Sequence, residues 1–258
     1  MFKLIKLVVV FLTMTISSSF ADLSDILKKG EVKIAVPEAF APFGSVGKTG
    51  EHEGYDVDVA KLIAKDLGVK LKIVPVVSKQ RIPFLETNKV DLVISTMGAN
   101  PKRAKSINFS SAYAPFYSGV FAPSNINITS YKDLDGLTVG VTGGTLEDLE
   151  LTKRAPKGTK ITRFGDNAAT LSAIKSKQVQ VLVSGNTVAA SITESDPKFD
   201  LQRKFIIKDS PCFIGIKKGN EDLLRWVNVF ILHKKLGGDL NKISQKWLGQ
   251  DLPALPSL

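Results

Sequence analysis

The sequence predicts an α/β protein with two lobes, and three observations support that prediction. Short runs rich in β-branched residues alternate with amphipathic stretches from Val32 onward. Val90–Ser95 is almost entirely apolar, as is typical of a parallel-sheet strand that is buried on both faces. The same alternation starts again at Thr138. A chain that crosses to a second βαβ set and then returns forms two lobes joined by two extended segments, with a ligand-binding cleft between them.

The first βαβ set begins with a strand and a polar loop that reaches Gly54. A helix over Tyr55–Leu67 follows, and Gly68 ends it. The predicted strands of this set are Val32–Val36, Val69–Val77 and Val90–Ser95, and its second, short helix covers Ile82–Thr87.

The second set lies beyond an extended, aromatic-rich crossing over Tyr113–Ala122. Its predicted strands are Thr138–Thr142, Lys160–Phe164 and Val179–Ser184, and its helices are Leu146–Lys153, Ala168–Lys177 and Thr187–Thr193. The chain continues with strands over Lys204–Lys208 and Phe213–Lys217 and ends with helices over Leu223–His233 and Leu240–Trp247. We therefore expect lobe one to comprise residues 22–114 and 210–258, and lobe two residues 115–209 with hinge strands at its ends.

Residues 1–21 have the pattern of a signal peptide. Lys3 and Lys6 precede an apolar run over Leu7–Met14, and the small residues Ser19 and Ala21 suit the pockets of a signal peptidase. The apolar run is shorter than the roughly 20 residues that a membrane-spanning helix needs. We therefore expect export, cleavage after Ala21 and a function outside the cytoplasm.

The composition argues against several other classes of protein. The formal net charge is +10, but the basic residues are scattered and no basic run is interleaved with aromatic residues, so nucleic-acid binding is not expected. Cys212 is the single cysteine, which excludes an internal disulfide, and we expect it to be buried near the second crossing. His52 and His233 lie far apart with no cysteine pair nearby. We therefore predict no metal site and no cofactor.

Several motifs occur together in the order and at the spacing of one known family. They are Gly54–Ala60 (GYDVDVA), Lys89–Thr96 (KVDLVIST), Pro101–Lys105 (PKRAK) and Ile107–Ser110 (INFS). They resemble the polar amino-acid family of periplasmic binding proteins, the family 3 bacterial extracellular solute-binding proteins, and the resemblance covers essentially the whole mature chain. It implies a type II periplasmic-binding-protein fold and a monomer in the periplasm. It also implies a small-molecule carboxylate ligand and an ABC-transporter permease in the inner membrane as partner.

Arg103 is the first candidate for binding such a ligand. It follows the buried strand Val90–Ser95 by a short loop, close to the predicted cleft, and its planar guanidinium can hold a carboxylate through two parallel hydrogen bonds. The resemblance implies that Arg103 clamps the α-carboxylate of the ligand. It also implies that the hydroxyl of Thr96 and the backbone N–H of Gly98 complete the binding of that carboxylate.

The second lobe is expected to contribute the turn Gly143-Gly144-Thr145. This turn lies between a strand and a helix, so its free backbone N–H groups and the positive end of the helix should point towards an anion. Thr145 and Asp148 also fit a capping box in a shorter-armed form, and the two roles are compatible. We therefore expect Gly144 and Thr145 to bind the ligand.

Two further residues are candidates for contact with the side chain of the ligand. Phe40 lies where the family places an aromatic residue over that side chain, with an ordinary core position as an equal alternative. Arg81 resembles the arginine with which family members that bind acidic amino acids meet the side-chain carboxylate. The alternative for Arg81 is a structural arginine at the start of a helix.

One position departs from the pattern of the family. The aspartate that usually pairs with the α-ammonium of the ligand is Gly185 in this chain. Ser184 or Asn186 could accept hydrogen bonds from the ammonium instead, helped by Glu38 or another carboxylate across the cleft. Alternatively, two arginines without an acid describe a site for a dicarboxylate or another organic anion that lacks an amine, because a buried ammonium without an anionic partner is costly.

Two other classes of function also remain open. Some relatives of this fold are dehydratases of cyclohexadienyl substrates, and that chemistry needs a general acid in the cleft. The segment Ser184–Val188 contains no Asp or Glu, so we expect a binding protein and not an enzyme. A ligand-sensing module needs the same closing cleft as a carrier, and both fit this sequence.

Overall fold

The computed structural model describes residues 23–187, 192, 196 and 199–257. The strands of the first sheet are β1 (Glu31–Pro37), β4 (Lys70–Val76), β5 (Leu92–Met97), β6 (Ile107–Ala114) and β12 (Cys212–Lys217). Those of the second sheet are β7 (Tyr117–Ala122), β8 (Thr138–Thr142), β9 (Lys160–Phe164), β10 (Val181–Gly185) and β11 (Gln202–Asp209), and a small hairpin pairs β2 (Ser45–Val46) with β3 (His52–Glu53). The helices are α1 (Leu23–Lys29), α2 (Tyr55–Leu67), α3 (Arg81–Glu86), α4 (Leu146–Arg154), α5 (Asn167–Lys175), α6 (Glu221–Leu236) and α7 (Asp239–Leu248).

Both large sheets are mixed. The first has the strand order β4-β1-β5-β12-β6, in which β1 is parallel to β4 and β5 while β12 is antiparallel to β5 and β6. The second has the order β11-β7-β10-β8-β9, in which β8 is parallel to β9 and β10 while β7 is antiparallel to β10 and β11. Each sheet therefore contains one strand that runs opposite to the others, β12 in the first sheet and β7 in the second.

The two crossings lie side by side. The chain crosses from the first sheet to the second between β6 and β7, and it returns to the first sheet between β11 and β12. The backbone N–H of Ser210 on the returning segment donates to the carbonyl of Phe116 on the outgoing one, with an N···O distance of 2.9 Å. The predicted α/β fold with two crossings is therefore confirmed. The lobe boundaries, 22–114 with 210–258 against 115–209, stay a prediction.

The helix predicted over Tyr55–Leu67 is found at those residues. Its sequence specifies both the apolar face that is buried and the glycine at which the helix ends. Val59, Ile63 and Leu67 are buried in the core of the first sheet. Gly68 adopts φ 68° and its backbone N–H closes the last turn, as a left-handed C-terminal glycine does. The helix predicted over Thr187–Thr193 and the signal segment 1–21 lie largely outside the described residues.

Each sheet has its own apolar core. The larger core packs α2, α6 and α7 against the first sheet, and the second sheet is covered by α4 and α5. Cys212 is buried as predicted, and burial raises the pKa of its thiol well above the usual value. Within the described residues, no helix is both long and apolar enough to cross a membrane. The same residues contain no group of three or more His, Cys, Asp and Glu side chains that could hold a metal ion.

Candidate functional site

A cavity that is partly open to solvent lies where the two sheets face each other. It contains most of the residues that the sequence predicted for the site: Phe40, Arg81, Thr96, Gly98, Arg103, Thr145 and Ser184. Gly144 lies in the wall of an adjacent cavity that Arg81 and Arg103 also line. Asn186 is not among the residues that line the main cavity. Its amide oxygen accepts a hydrogen bond from the backbone N–H of Tyr117 at 3.2 Å.

Arg103 spans the cavity from one sheet to the other. Its Nη1 donates to the carbonyl of Gly98 at 2.8 Å, and its Nη2 donates to the carbonyl of Gly144 at 3.0 Å. Burial lowers the pKa of Arg103, and the negative charge of Glu147 opposes that effect. A guanidinium has five N–H donors, so Arg103 keeps donors for a ligand after both carbonyls are satisfied.

The Gly143-Gly144-Thr145 turn differs from its prediction, because its two glycine amides are already used. The N–H of Gly143 donates to the carbonyl of Phe164 at 2.9 Å, and the N–H of Gly144 donates to the carboxylate of Asp148 at 3.0 Å. Thr145 does cap α4, since its hydroxyl accepts from the N–H of Asp148 at 3.2 Å. The capping box is incomplete because the carboxylate of Asp148 reaches Gly144 and not the N–H of Thr145. The expectation of free glycine amides was therefore wrong.

Arg81 is buried, with 6% of its surface exposed. Its Nε donates to the hydroxyl of Ser95 at 3.1 Å, and its terminal nitrogens have no protein partner among the residues described. Burial and the nearby charge of Arg103 lower the pKa of Arg81 to about 10, while Asp56 and Glu147 act in the opposite direction. Arg81 therefore presents unpaired donors to the cavity from a desolvated position.

Asp56 lies behind the cavity wall and supports Thr96. One carboxylate oxygen accepts from the backbone N–H of Thr96 at 2.8 Å, and the other accepts from the hydroxyl of Tyr113 at 2.7 Å. Thr96 has φ 42°, a left-handed conformation that is uncommon for a residue with a branched side chain. Asp56 therefore holds a strained residue of the cavity in place. From the sequence, Asp56 was recognised only as part of the motif Gly54–Ala60.

The buried carboxyl of Asp56 should make stability depend on pH. Burial raises its pKa from 3.8 to about 7, although the hydrogen bonds from Tyr113 and Thr96 and the charge of Arg81 lower it. Between these two values the folded state retains a proton that the unfolded state has released. This contribution to stability is therefore complete below about pH 4 and is lost as the pH rises to about 7.

We expect the Asp56→Asn variant to lack this dependence. The quantity to measure is the difference in free energy of unfolding between wild type and variant, from urea denaturation at pH 5 and at pH 8. Groups common to both proteins cancel, so the difference should favour the wild type more at pH 5 than at pH 8. An equal difference at the two pH values would show that Asp56 does not titrate in this range.

Glu147 is the carboxylate that the sequence analysis missed. It lies in the first turn of α4, lines the cavity and is 7% exposed. Glu38, which was expected to help with an ammonium, is exposed and does not line the cavity. Of the two alternatives drawn from the sequence, the site with two arginines and no acid is therefore wrong, because a carboxylate lines the cavity. The same carboxylate removes the argument against a dehydratase that rested on Ser184–Val188.

Phe40 lies both in the apolar core and in the wall of the cavity. It lines the cavity, yet it is 6% exposed and packs against Phe43 and Phe116 with ring centroids 6.0 and 6.3 Å away. The ring of Phe116 also occupies the space beside Gly185, because a Cβ atom at that position would collide with it. A side chain at position 185 would therefore require the ring of Phe116 to move.

Other cavity residues were not identified from the sequence: Ser78, Phe116, Thr142, Leu146, Asn167, Val183 and Ser210. Ser78 follows directly after a predicted strand and Thr142 is the last residue of another, and the carboxyl ends of parallel strands are where ligands bind in α/β folds. That position was the available signal for Ser78 and Thr142. Ser78 also has a buried hydroxyl for which the described structure offers no hydrogen-bond partner.

Two facing mixed sheets, a pair of crossings and a cavity between the sheets define the class of type II periplasmic binding proteins. A family model of the bacterial extracellular solute-binding proteins, family 3, matches residues 32–250. The chain belongs to this family.

Individual relatives agree with this assignment. The ABC transporter glutamine-binding protein GlnH of Bacillus subtilis (strain 168) is 29% identical over 207 residues, which cover 79% of this chain and 75% of GlnH. The L-cystine-binding protein TcyJ of Escherichia coli (strain K12) is 26% identical over 243 residues, which cover 91% of this chain and 90% of TcyJ. The crystal structure of the ancestral amino acid-binding protein AncCDT-1, a precursor of cyclohexadienyl dehydratase, has a TM-score of 0.81 at 30% identity and covers 87% of this chain and 98% of that one.

Proposed function

We propose that this protein captures an α-amino acid outside the cytoplasm and delivers it to an ABC importer. The observation that carries the proposal is the guanidinium of Arg103, which lines the cavity between the two sheets and retains donors for a carboxylate. The relatives support the ligand class, since GlnH is a glutamine-binding and TcyJ an L-cystine-binding protein. In this proposal Thr96 and Gly98 bind the same carboxylate from the first sheet, and Thr145 contacts it from the second.

The part of the cavity lined by Arg81 and Ser78 fits a ligand side chain that accepts hydrogen bonds. The terminal nitrogens of Arg81 and the buried hydroxyl of Ser78 lack protein partners among the described residues and line the same cavity. A buried charge or donor without a partner is costly, so a ligand that supplies acceptors is favoured. A side-chain carboxylate or amide does so, with Phe40 and Ser184 on the surrounding wall. An acidic amino acid is one member of this class.

Capture requires the two lobes to close over the ligand. Contacts between the sheets already exist: Arg103 donates to Gly144, and the α-carbon of Gly98 faces the side chain of Leu146 so closely that no Cβ fits between them. A ligand held by groups from both sheets binds the closed form more tightly than the open one, and this difference in affinity drives closure. The lobes in this proposal are residues 22–114 with 210–258, and residues 115–209.

Delivery of the ligand to an importer depends on the location of the protein and on its membrane partner. The signal segment would be removed after Ala21 and would leave a periplasmic monomer. An inner-membrane ABC permease would then bind the closed form. A sensing role would use the same closed form with a different receptor.

A ligand panel tests the proposal. The mature chain from Asp22 is screened by thermal shift and titration calorimetry against L-glutamate, L-aspartate, L-glutamine, L-arginine, L-cystine and amine-free dicarboxylates. An amino acid present at about 1,000 times its Kd should stabilise the protein by about 4 kcal/mol, a rise in Tm of roughly 8–16 °C. Prephenate and arogenate should be bound weakly and not turned over. If no amino acid raises the Tm, or if prephenate is consumed, the proposal is wrong.

A further inference from the structure

We propose that Glu147 binds the α-ammonium of the ligand, in place of the aspartate that is missing at position 185. This inference rests on the proposed capture of an amino acid and states how the amine is recognised. It would make Glu147 the residue that selects amino acids over organic acids without an amine.

The geometry leaves one oxygen of Glu147 available. Its Oε1 accepts a hydrogen bond from the hydroxyl of Ser118 at 2.8 Å, which fixes the position of the carboxylate. Its Oε2 has no protein partner among the residues the structure describes. The side chain nevertheless lines the cavity, and only 7% of the surface of Glu147 is exposed. An ammonium has three donors and no acceptor, so it suits an oxygen that has only acceptor capacity.

The charges of the cavity are arranged for a zwitterion. Glu147 enters from the second sheet on the first turn of α4, where the helix dipole favours a negative charge. Arg103 enters from the first sheet, and both Arg103 and Arg81 are stabilised in their charged forms by Glu147. One cavity therefore presents a cation for the α-carboxylate and an anion for the α-ammonium.

The other acids near the site do not fit this role. Position 185 is a glycine and supplies no carboxylate, and the ring of Phe116 fills the space beside it. The two oxygens of Asp56 already accept from Thr96 and Tyr113, and Asp56 does not line the cavity. Among the described residues that line the cavity, Glu147 is the only one with a carboxylate side chain.

The test compares the affinities of paired ligands that differ in the amine. The pairs are L-glutamate with glutarate, L-glutamine with glutaramate, and L-cysteine with 3-mercaptopropionate. In the wild type, the amino acid of the bound pair should bind at least about 30-fold more tightly than its amine-free partner. In Glu147→Gln this ratio should fall to about threefold or less, because the amino acid loses its anion while the amine-free acid loses nothing.

Controls separate selectivity from folding. Glutamine keeps an oxygen that can accept from Ser118, so Glu147→Gln should retain the Tm of the wild type within a few degrees. Glu150→Gln is a matched change on the same helix, where Glu150 pairs with Arg154 and does not line the cavity, and it should leave both affinities unchanged. Should Glu147→Gln prove unstable, Ser118→Ala removes the positioning hydrogen bond, keeps the charge and should lower the same ratio partly.

The outcomes distinguish this inference from the proposed function. A wild type that binds glutarate as tightly as L-glutamate, or a Glu147→Gln variant that keeps the wild-type ratio, overturns the role of Glu147 and leaves carboxylate capture intact. A wild type that binds no amino acid of the panel or of the pairs overturns the proposed function together with this inference.

Discussion

Replacing Arg103 with alanine is expected to weaken ligand binding by about 30-fold to several thousand-fold. Truncating one partner of a buried, hydrogen-bonded charge pair costs about 2–5 kcal/mol. The variant also loses the hydrogen bonds to Gly98 and Gly144, so the closed form should be less populated. The measurements are titration calorimetry with the strongest ligand of the panel and small-angle scattering to follow closure.

Two further variants make the result specific to the guanidinium. Arg103→Lys keeps the charge but cannot bond both carbonyls and a carboxylate with one planar group, so we expect an intermediate loss. Arg225→Ala removes an exposed arginine on α6 and should leave the affinity unchanged. An Arg103→Ala protein that binds its ligand as tightly as the wild type would show that the carboxylate is held elsewhere.

Replacing Gly54 with alanine is expected to lower the free energy of unfolding by about 3 kcal/mol or more. Gly54 has φ 136°, a region that is almost restricted to glycine, and strain of this kind costs about 1–3 kcal/mol. A Cβ atom there would also collide with the backbone carbonyl of Phe43, which cannot move aside as a side chain does. Overpacking adds about 1–3 kcal/mol.

The matched control is Gly68→Ala at the other end of the same helix. Gly68 also has a positive φ, 68°, but a Cβ there would meet nothing within 4 Å. That change should therefore cost only about 1–2 kcal/mol, the penalty of a left-handed residue. Thermal or urea unfolding measures both variants, and equal losses would mean that the collision at Gly54 is relieved by a backbone shift.

Much of the fold follows from local patterns. The helix over Tyr55–Leu67 and the strand over Lys160–Phe164 were predicted at the bounds that the structure shows, because periodicity and a terminal glycine or turn define them locally. The crossing predicted over Tyr113–Ala122 is divided between two strands of different sheets. The apolar pattern of this segment predicted an extended conformation, but it did not show at which residues the chain leaves one sheet and enters the other.

The candidate site was only partly predictable. Arg103 and Thr96 were identified by their position after a buried strand and by their resemblance to a known family, and the structure places both in the cavity. Glu147 was overlooked because Thr145 and Asp148 around it were interpreted as a helix cap. Asn186 was a candidate because it follows a predicted strand, but its amide oxygen already accepts a hydrogen bond from the backbone N–H of Tyr117.

The sequence by itself determined the α/β class, the order of the elements and the family, because hydrophobic periodicity, turn residues and motif spacing are properties of neighbouring positions. Only the tertiary structure decided which charges share the cavity. Glu147 meets Ser118 from 29 positions away, Arg103 meets Gly144 from 41, and the ring of Phe116 fills the place of a side chain at Gly185. Such contacts depend on how two sheets face each other across their crossings, and no local pattern encodes that geometry.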